Sequence, residues 1–174
     1  QPYGRKSELA MTYGSTLRYY DERHPYTLER EPVLDQRLVY LQHEVSLRWR
    51  HNWDRLGRWQ STSKFGYAFN EDNGSGYFNF HRYQTTHQLR YQAQRWKAET
   101  GVKLSAYDYP SQTVSFWDTS LRWRLTLNCS VRGEVQVYKK LKLFGEYDYE
   151  QTWGNNVFDR YAVNTVSGGL DWSW

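Results

Sequence analysis

Ser167-Gly168-Gly169-Leu170-Asp171-Trp172-Ser173-Trp174 reads with a period of two. Gly168, Leu170, Trp172 and Trp174 fall on one face; Ser167, Gly169, Asp171 and Ser173 fall on the other. Successive side chains of an extended chain point to opposite faces, so this alternation predicts a strand with one apolar and one polar side. A strand of this kind that finishes on aromatics suits a sheet with lipid outside and a polar inside.

The same alternation recurs upstream. A first strand is expected over Ser7 to Tyr20, with Leu9, Met11, Tyr13, Leu17 and Tyr19 opposed to Glu8, Thr12, Thr16 and Arg18. A second is expected over Arg37 to Trp53, a third over Arg58 to Asn70, and a fourth, the least apolar, over His81 to Gln94. The fifth spans Trp96 to Tyr107 and the sixth Trp117 to Tyr138, where Leu121, Trp123, Leu125, Leu127, Cys129 and Val131 make the best apolar face. The seventh covers Leu141 to Glu150 and the eighth Tyr161 to Trp174. No helix is expected. Short turns are read after strands two, four and six, and longer loops after one, three, five and seven, including a loop from Asp108 to Phe116 around Pro110.

Bulk composition narrows the class. A length of 174 residues suits one domain. The mean hydropathy of -0.95 would ordinarily argue against a membrane protein, and the lack of any apolar run of about 18 residues excludes a transmembrane helix. A barrel is compatible with it, because alternate residues face a polar interior. Aromatic residues make up 18%, and Tyr and Trp favour the boundary between membrane and water. The charge of +4 is spread along the strands without a basic block, so nucleic acid is not the expected partner. The single cysteine, Cys129, excludes an internal disulfide and a CxxC metal site. Gln1-Pro2-Tyr3-Gly4 has no leader pattern, so a cleaved signal peptide or an upstream continuation is expected.

An even number of strands, with short turns at one end and long loops at the other, is the layout of outer-membrane barrels. Trp53, Trp59, Trp96, Trp172 and Trp174 would ring the short-turn end. Tyr19, Tyr67, Phe69, Tyr83, Tyr107, Trp117, Tyr147 and Tyr149 would ring the other. Ser167, Gly169, Trp172 and Trp174 also resemble the C-terminal insertion signal of bacterial outer-membrane β-barrels. In pattern and end-signal, though not residue by residue, nearly the whole chain resembles the small eight-stranded members of that class, such as the membrane domain of outer membrane protein A. The resemblance implies an all-β, antiparallel up-and-down transmembrane barrel in the bacterial outer membrane, with short turns and termini periplasmic and long loops outside the cell. The structural rival is a soluble lipocalin-like barrel, which would turn the apolar face inward.

The residues weighed for chemistry fall into three groups. With the apolar face outward, Glu44, Arg48, Arg122, Arg124, Lys142 and Glu146 face the lumen. Enclosed charges must pair, so these are expected to form an ion-pair plug. An outer-membrane lipid hydrolase or acyltransferase would use His87 with Ser61 or Ser63, but no local acid is available to orient the imidazole. No metal or cofactor motif is present; Asp72-Asn73-Gly74 lacks EF-hand spacing and reads as a turn. The outward positions of strands two to five include His43, Ser63, Thr85, His87 and Thr100, which are polar where lipid is expected. These predict a face for another membrane or periplasmic protein. The expected role is therefore a non-enzymatic anchor or structural subunit that also contacts outer-membrane lipid.

Overall fold

A computed structural model describes residues 6–27, 30–115, 117–138 and 140–172. The strands are β1 (Ser7–Tyr20), β2 (Leu38–Asn52), β3 (Trp59–Asp72), β4 (Phe80–Gln92), β5 (Trp96–Thr113), β6 (Leu121–Tyr138), β7 (Leu141–Gly154) and β8 (Tyr161–Trp172). All pair antiparallel with their sequence neighbours, in the order β1-β2-β3-β4-β5-β6-β7-β8. Among the described residues the sheet is open, with β1 paired to β2 alone and β8 to β7 alone, which corrects the expectation of a closed barrel. Closure requires tilt and stagger to bring the two edges into register. Here almost every residue of β1 and β8 remains exposed on both faces.

The register keeps the two faces apart across all eight strands. One line of opposed residues runs Met11, Leu47, Phe65, Thr85, Leu104, Leu127, Gln151 and Ala162. The next line, on the other face, runs Thr12, Ser46, Gly66, Gln84, Ser105, Thr126, Thr152 and Tyr161. Small members of the second line are covered: Ser46, Ser105 and Thr152 are buried, while Met11 is 73% exposed. The burial of these small side chains marks the polar face as the concave one. A trough of about 520 Å³ runs along it from β4 to β8, lined by Thr86, Lys103, Asn128, Asp148 and Thr165 among others.

Three strands outrun their sequence reading, β3 by running on past Asn70 to Asp72. β5 continues through Pro110 to Thr113, with a register shift between Asp108 and Thr113. Proline cannot donate to a ladder, and a bulge is where a strand tolerates it. β7 continues to Gly154, and β6 starts at Leu121 rather than Trp117. A 3-10 turn, η1 (Val157–Asp159), follows β7 where no helical segment was expected; Asn156 caps it by accepting from the Phe158 N–H at 3.0 Å.

The apolar core sits at the end of the sheet where the 21–37 connection folds inward. Tyr20 packs edge-on to Tyr40 at 4.9 Å, Tyr40 meets Phe78, and Phe78 meets Tyr26 at 5.4 Å. Leu38 and Pro25 are completely covered there. Tyr107 belongs to the same end, on the polar face, against Phe80 and Tyr109. It is therefore not part of an outward ring, and Trp117 lies in the β5–β6 connection. The 21–37 and 73–79 connections are stitched together: the Ser75 N–H donates to the Tyr26 carbonyl at 2.9 Å, and Asn73 donates to the Arg37 carbonyl and accepts from the Val39 N–H.

Candidate functional site

The concave face carries its charges in several separate groups, among them a Lys97–Glu99 pair at 3.0 Å on β5. On β1–β4, Glu8 accepts from Arg50 and from Arg48 at 3.1 Å, while Glu44 accepts from Arg82 at 2.7 Å and from Lys64 at 3.5 Å. On β6 and β7, Arg132 bridges Glu134 and Glu146, each at 2.9 Å. Arg122 donates to Asp159 of η1 at 2.8 Å and to Gln112. Arg124 instead stacks on the Tyr107 ring at 4.3 Å, and Lys142 lies opposite Gln136 and Asp171. All six charged residues singled out in the sequence thus share one face, but they do not form one network. Asp159, Gln112, Arg82 and Arg132 complete the clusters. Asp159 and Gln112 lie in segments read as loops, where alternation carries no signal.

The convex face carries the other candidates. Ser63 lies directly opposite His87, with Oγ 2.9 Å from Nδ1. Ser61 is engaged elsewhere, accepting from the Trp53 indole N–H at 3.0 Å. His43 Nδ1 lies 2.8 Å from the Tyr13 hydroxyl. His51 and His81 repeat the motif with Ser7 at 2.7 Å and Tyr67 at 2.8 Å. Every outward histidine on β2 and β4 therefore has a hydroxyl partner on the adjacent strand. Thr85 sits between Phe65 and Leu104, and Thr100 between Leu89 and Val131. All five proposed partner-face residues do lie on one face. The imidazoles, however, already hold one hydrogen bond within the sheet, which lowers the cost of removing them from water.

Along β4, His87 is flanked on its face by Thr85 and Leu89, and Val102 lies opposite on β5, so no carboxylate adjoins it. Among the described residues no group of His, Cys, Asp or Glu could hold a metal ion. Away from the strands, Asp54 in the 53–58 turn accepts from the Trp59 N–H and from Arg58, each at 3.0 Å. Those bonds, the backbone one foremost, hold its carboxyl below the usual range.

In the C-terminal stretch, Trp172 lies opposite Leu141 and Gly169 lies opposite Phe144. A Cβ at Gly169 would come within 3.2 Å of the Phe144 ring, so the glycine leaves room for that aromatic. Ser167 faces Glu146 across the same pair of strands. Ser173 and Trp174 lie outside the described residues. Comparison with family models, with curated proteins and with solved structures finds nothing that matches this chain.

Proposed function

We propose that the chain is a membrane-spanning β-sheet of the bacterial outer membrane, a non-enzymatic anchor or structural subunit of an outer-membrane assembly. The observation that carries this reading is the inverted polarity of the sheet. Ion-paired side chains occupy the concave face, and Leu9, Met11, Val131, Val166 and Leu170 stand exposed on the convex one. In water, so broad an apolar surface would be a liability. Against lipid it is the favourable arrangement for β2 to β7, whose backbone groups are satisfied between neighbouring strands, and a bilayer would require the outer edges of β1 and β8 to be paired as well. A soluble ligand-binding barrel needs the reverse, an apolar interior. The strip marked by His43, Ser63, Thr85, His87 and Thr100 is where a protein partner would sit, since β6, Leu143 and Leu170 offer lipid a more apolar surface.

Expression behind an outer-membrane leader in a Gram-negative host tests the reading. The chain should fractionate with the outer membrane and show heat-modifiable mobility, and a photo-cross-linker at Thr85 should trap a discrete protein while one at Leu143 traps lipid. A chain that is monomeric in detergent-free buffer would rule the proposal out.

The Ser63–His87 contact favours a second reading, a lipid hydrolase or acyltransferase. Ser63 would lose its proton to Nδ1 as it attacked an ester carbonyl. No acidic side chain adjoins His87 on that face to orient its ring, which is why the non-enzymatic reading comes first. Phospholipid turnover in the purified, membrane-inserted chain that disappears in both Ser63→Ala and His87→Ala would reverse that order.

A further inference from the structure

We infer that the trough on the concave face binds a short peptide by its two charged ends. The ammonium end sits at Asp148 and Glu150 on β7, and the carboxylate end meets Lys103 on β5. This goes beyond the outer-membrane reading and does not depend on it, because the trough is formed by strands paired directly to one another.

The trough is a part of the concave face where opposite charges are kept apart. In the groups around it they meet: Lys64 reaches Glu44, Lys97 reaches Glu99 and Arg132 reaches Glu146. Among the described residues, Lys103, Asp148 and Glu150 hold no ion pair within 4.0 Å. Their neighbours across the strands are all neutral. Lys103 lies between Thr86 and Asn128, Asp148 between Ser130 and Thr165, and Glu150 between Asn128 and Val163. Asn128 and the Tyr161 hydroxyl donate to the two oxygens of Glu150, which fixes that carboxylate without neutralising it. A basic side and an acidic side therefore flank β6, which gives the floor only Asn128 and Ser130.

Charge and spacing select the ligand. An anion would leave the two carboxylates without a counter-charge, and a cation would leave Lys103 without one. A molecule charged at both ends meets both sides, through the charge-assisted hydrogen bonds that are the strong ones. Adjacent strands lie about 4.8 Å apart, so β5 and β7 are separated by about 10 Å. Three extended residues span about 10 Å as well. The trough of about 520 Å³ is of the size that takes a small ligand. Thr86, Gln88 and Ser130 line it with hydroxyl and amide groups that can bond the peptide units between the two ends. Gly101 adds no side chain there; a Cβ would stand 3.0 Å from the Ser130 Oγ and 3.4 Å from the Gln88 Cγ, so those polar groups make the floor.

The test is calorimetric titration of the folded chain, in detergent micelles at neutral pH and low salt, with triglycine, N-acetyltriglycine and triglycine amide. Triglycine should bind most tightly and each capped peptide about tenfold more weakly, since each cap removes one charged contact. Lys103→Gln should weaken triglycine about tenfold and leave triglycine amide unchanged. Asp148→Asn should weaken triglycine and its amide and leave N-acetyltriglycine unchanged. Circular dichroism checks that both variants keep the sheet. Equal affinity for the three peptides, or no binding of any, would overturn the inference, and the parent chain alone decides this if a variant fails to fold. Triglycine binding that neither substitution weakens in a folded chain would place the peptide outside the trough and overturn it too. Whether the chain needs detergent to stay folded bears on the membrane reading alone.

Discussion

At the residue scale, the sheet depends on a few positions where the backbone is pinned. Gly74 is one of them: a Cβ there would lie 2.7 Å from the Pro25 Cβ and 2.9 Å from the Tyr26 carbonyl oxygen. Gly74→Ala should therefore push the 21–37 and 73–79 connections apart at a cost of about 1–3 kcal/mol. Limited proteolysis would then cut within 21–37 faster than in the parent while the strands stay intact; an unchanged cutting rate would show that the two connections do not depend on each other. Asp54 is another. Its carboxyl is held below the usual range, so its contribution to stability is complete above the ordinary carboxylate pKa and is lost as pH falls through its own depressed value. The difference in thermal stability between the parent and Asp54→Asn should shrink toward zero on acidification. A difference that stays constant down to strongly acid pH would mean that the charge plays no part. Neither position was legible as special in the sequence, where Asp72-Asn73-Gly74 and Asp54-Arg55-Leu56-Gly57 read simply as turns.

At the element scale, alternation located all eight strands and assigned their faces, because a two-residue period is unambiguous when one face is apolar. β1 is bounded as the pattern indicates, Ser7–Tyr20. Strand ends were less legible. Pro110 reads as a loop signal, yet the bulge absorbs it inside β5. Tyr107 reads as a ring residue, although its parity places it beside Arg124 on the polar face. The pairing of Ser63 with His87 followed from register, which no single strand reveals. Face assignment on β6 predicts that Leu127→Arg destabilises the membrane-inserted sheet by about 2–4 kcal/mol. Urea unfolding in lipid vesicles measures this, and a harmless Leu127→Arg would place that face away from hydrocarbon.

At the scale of the whole molecule, the sequence pointed to a barrel and the structure holds an open sheet of the same strands. Closure was not legible because it depends on tilt and stagger summed around all the strands, and alternation within each strand carries neither quantity. The polarity of the faces was legible. It is also the claim on which the membrane reading stands. The most direct measurement is a nitroxide scan from Leu125 to Val131 on β6, in the chain reconstituted in lipid vesicles. Odd-numbered positions should be open to dissolved oxygen and closed to a water-soluble relaxant, and even-numbered positions should show the reverse. Alternation of the opposite phase, or none, would contradict a lipid-facing convex surface.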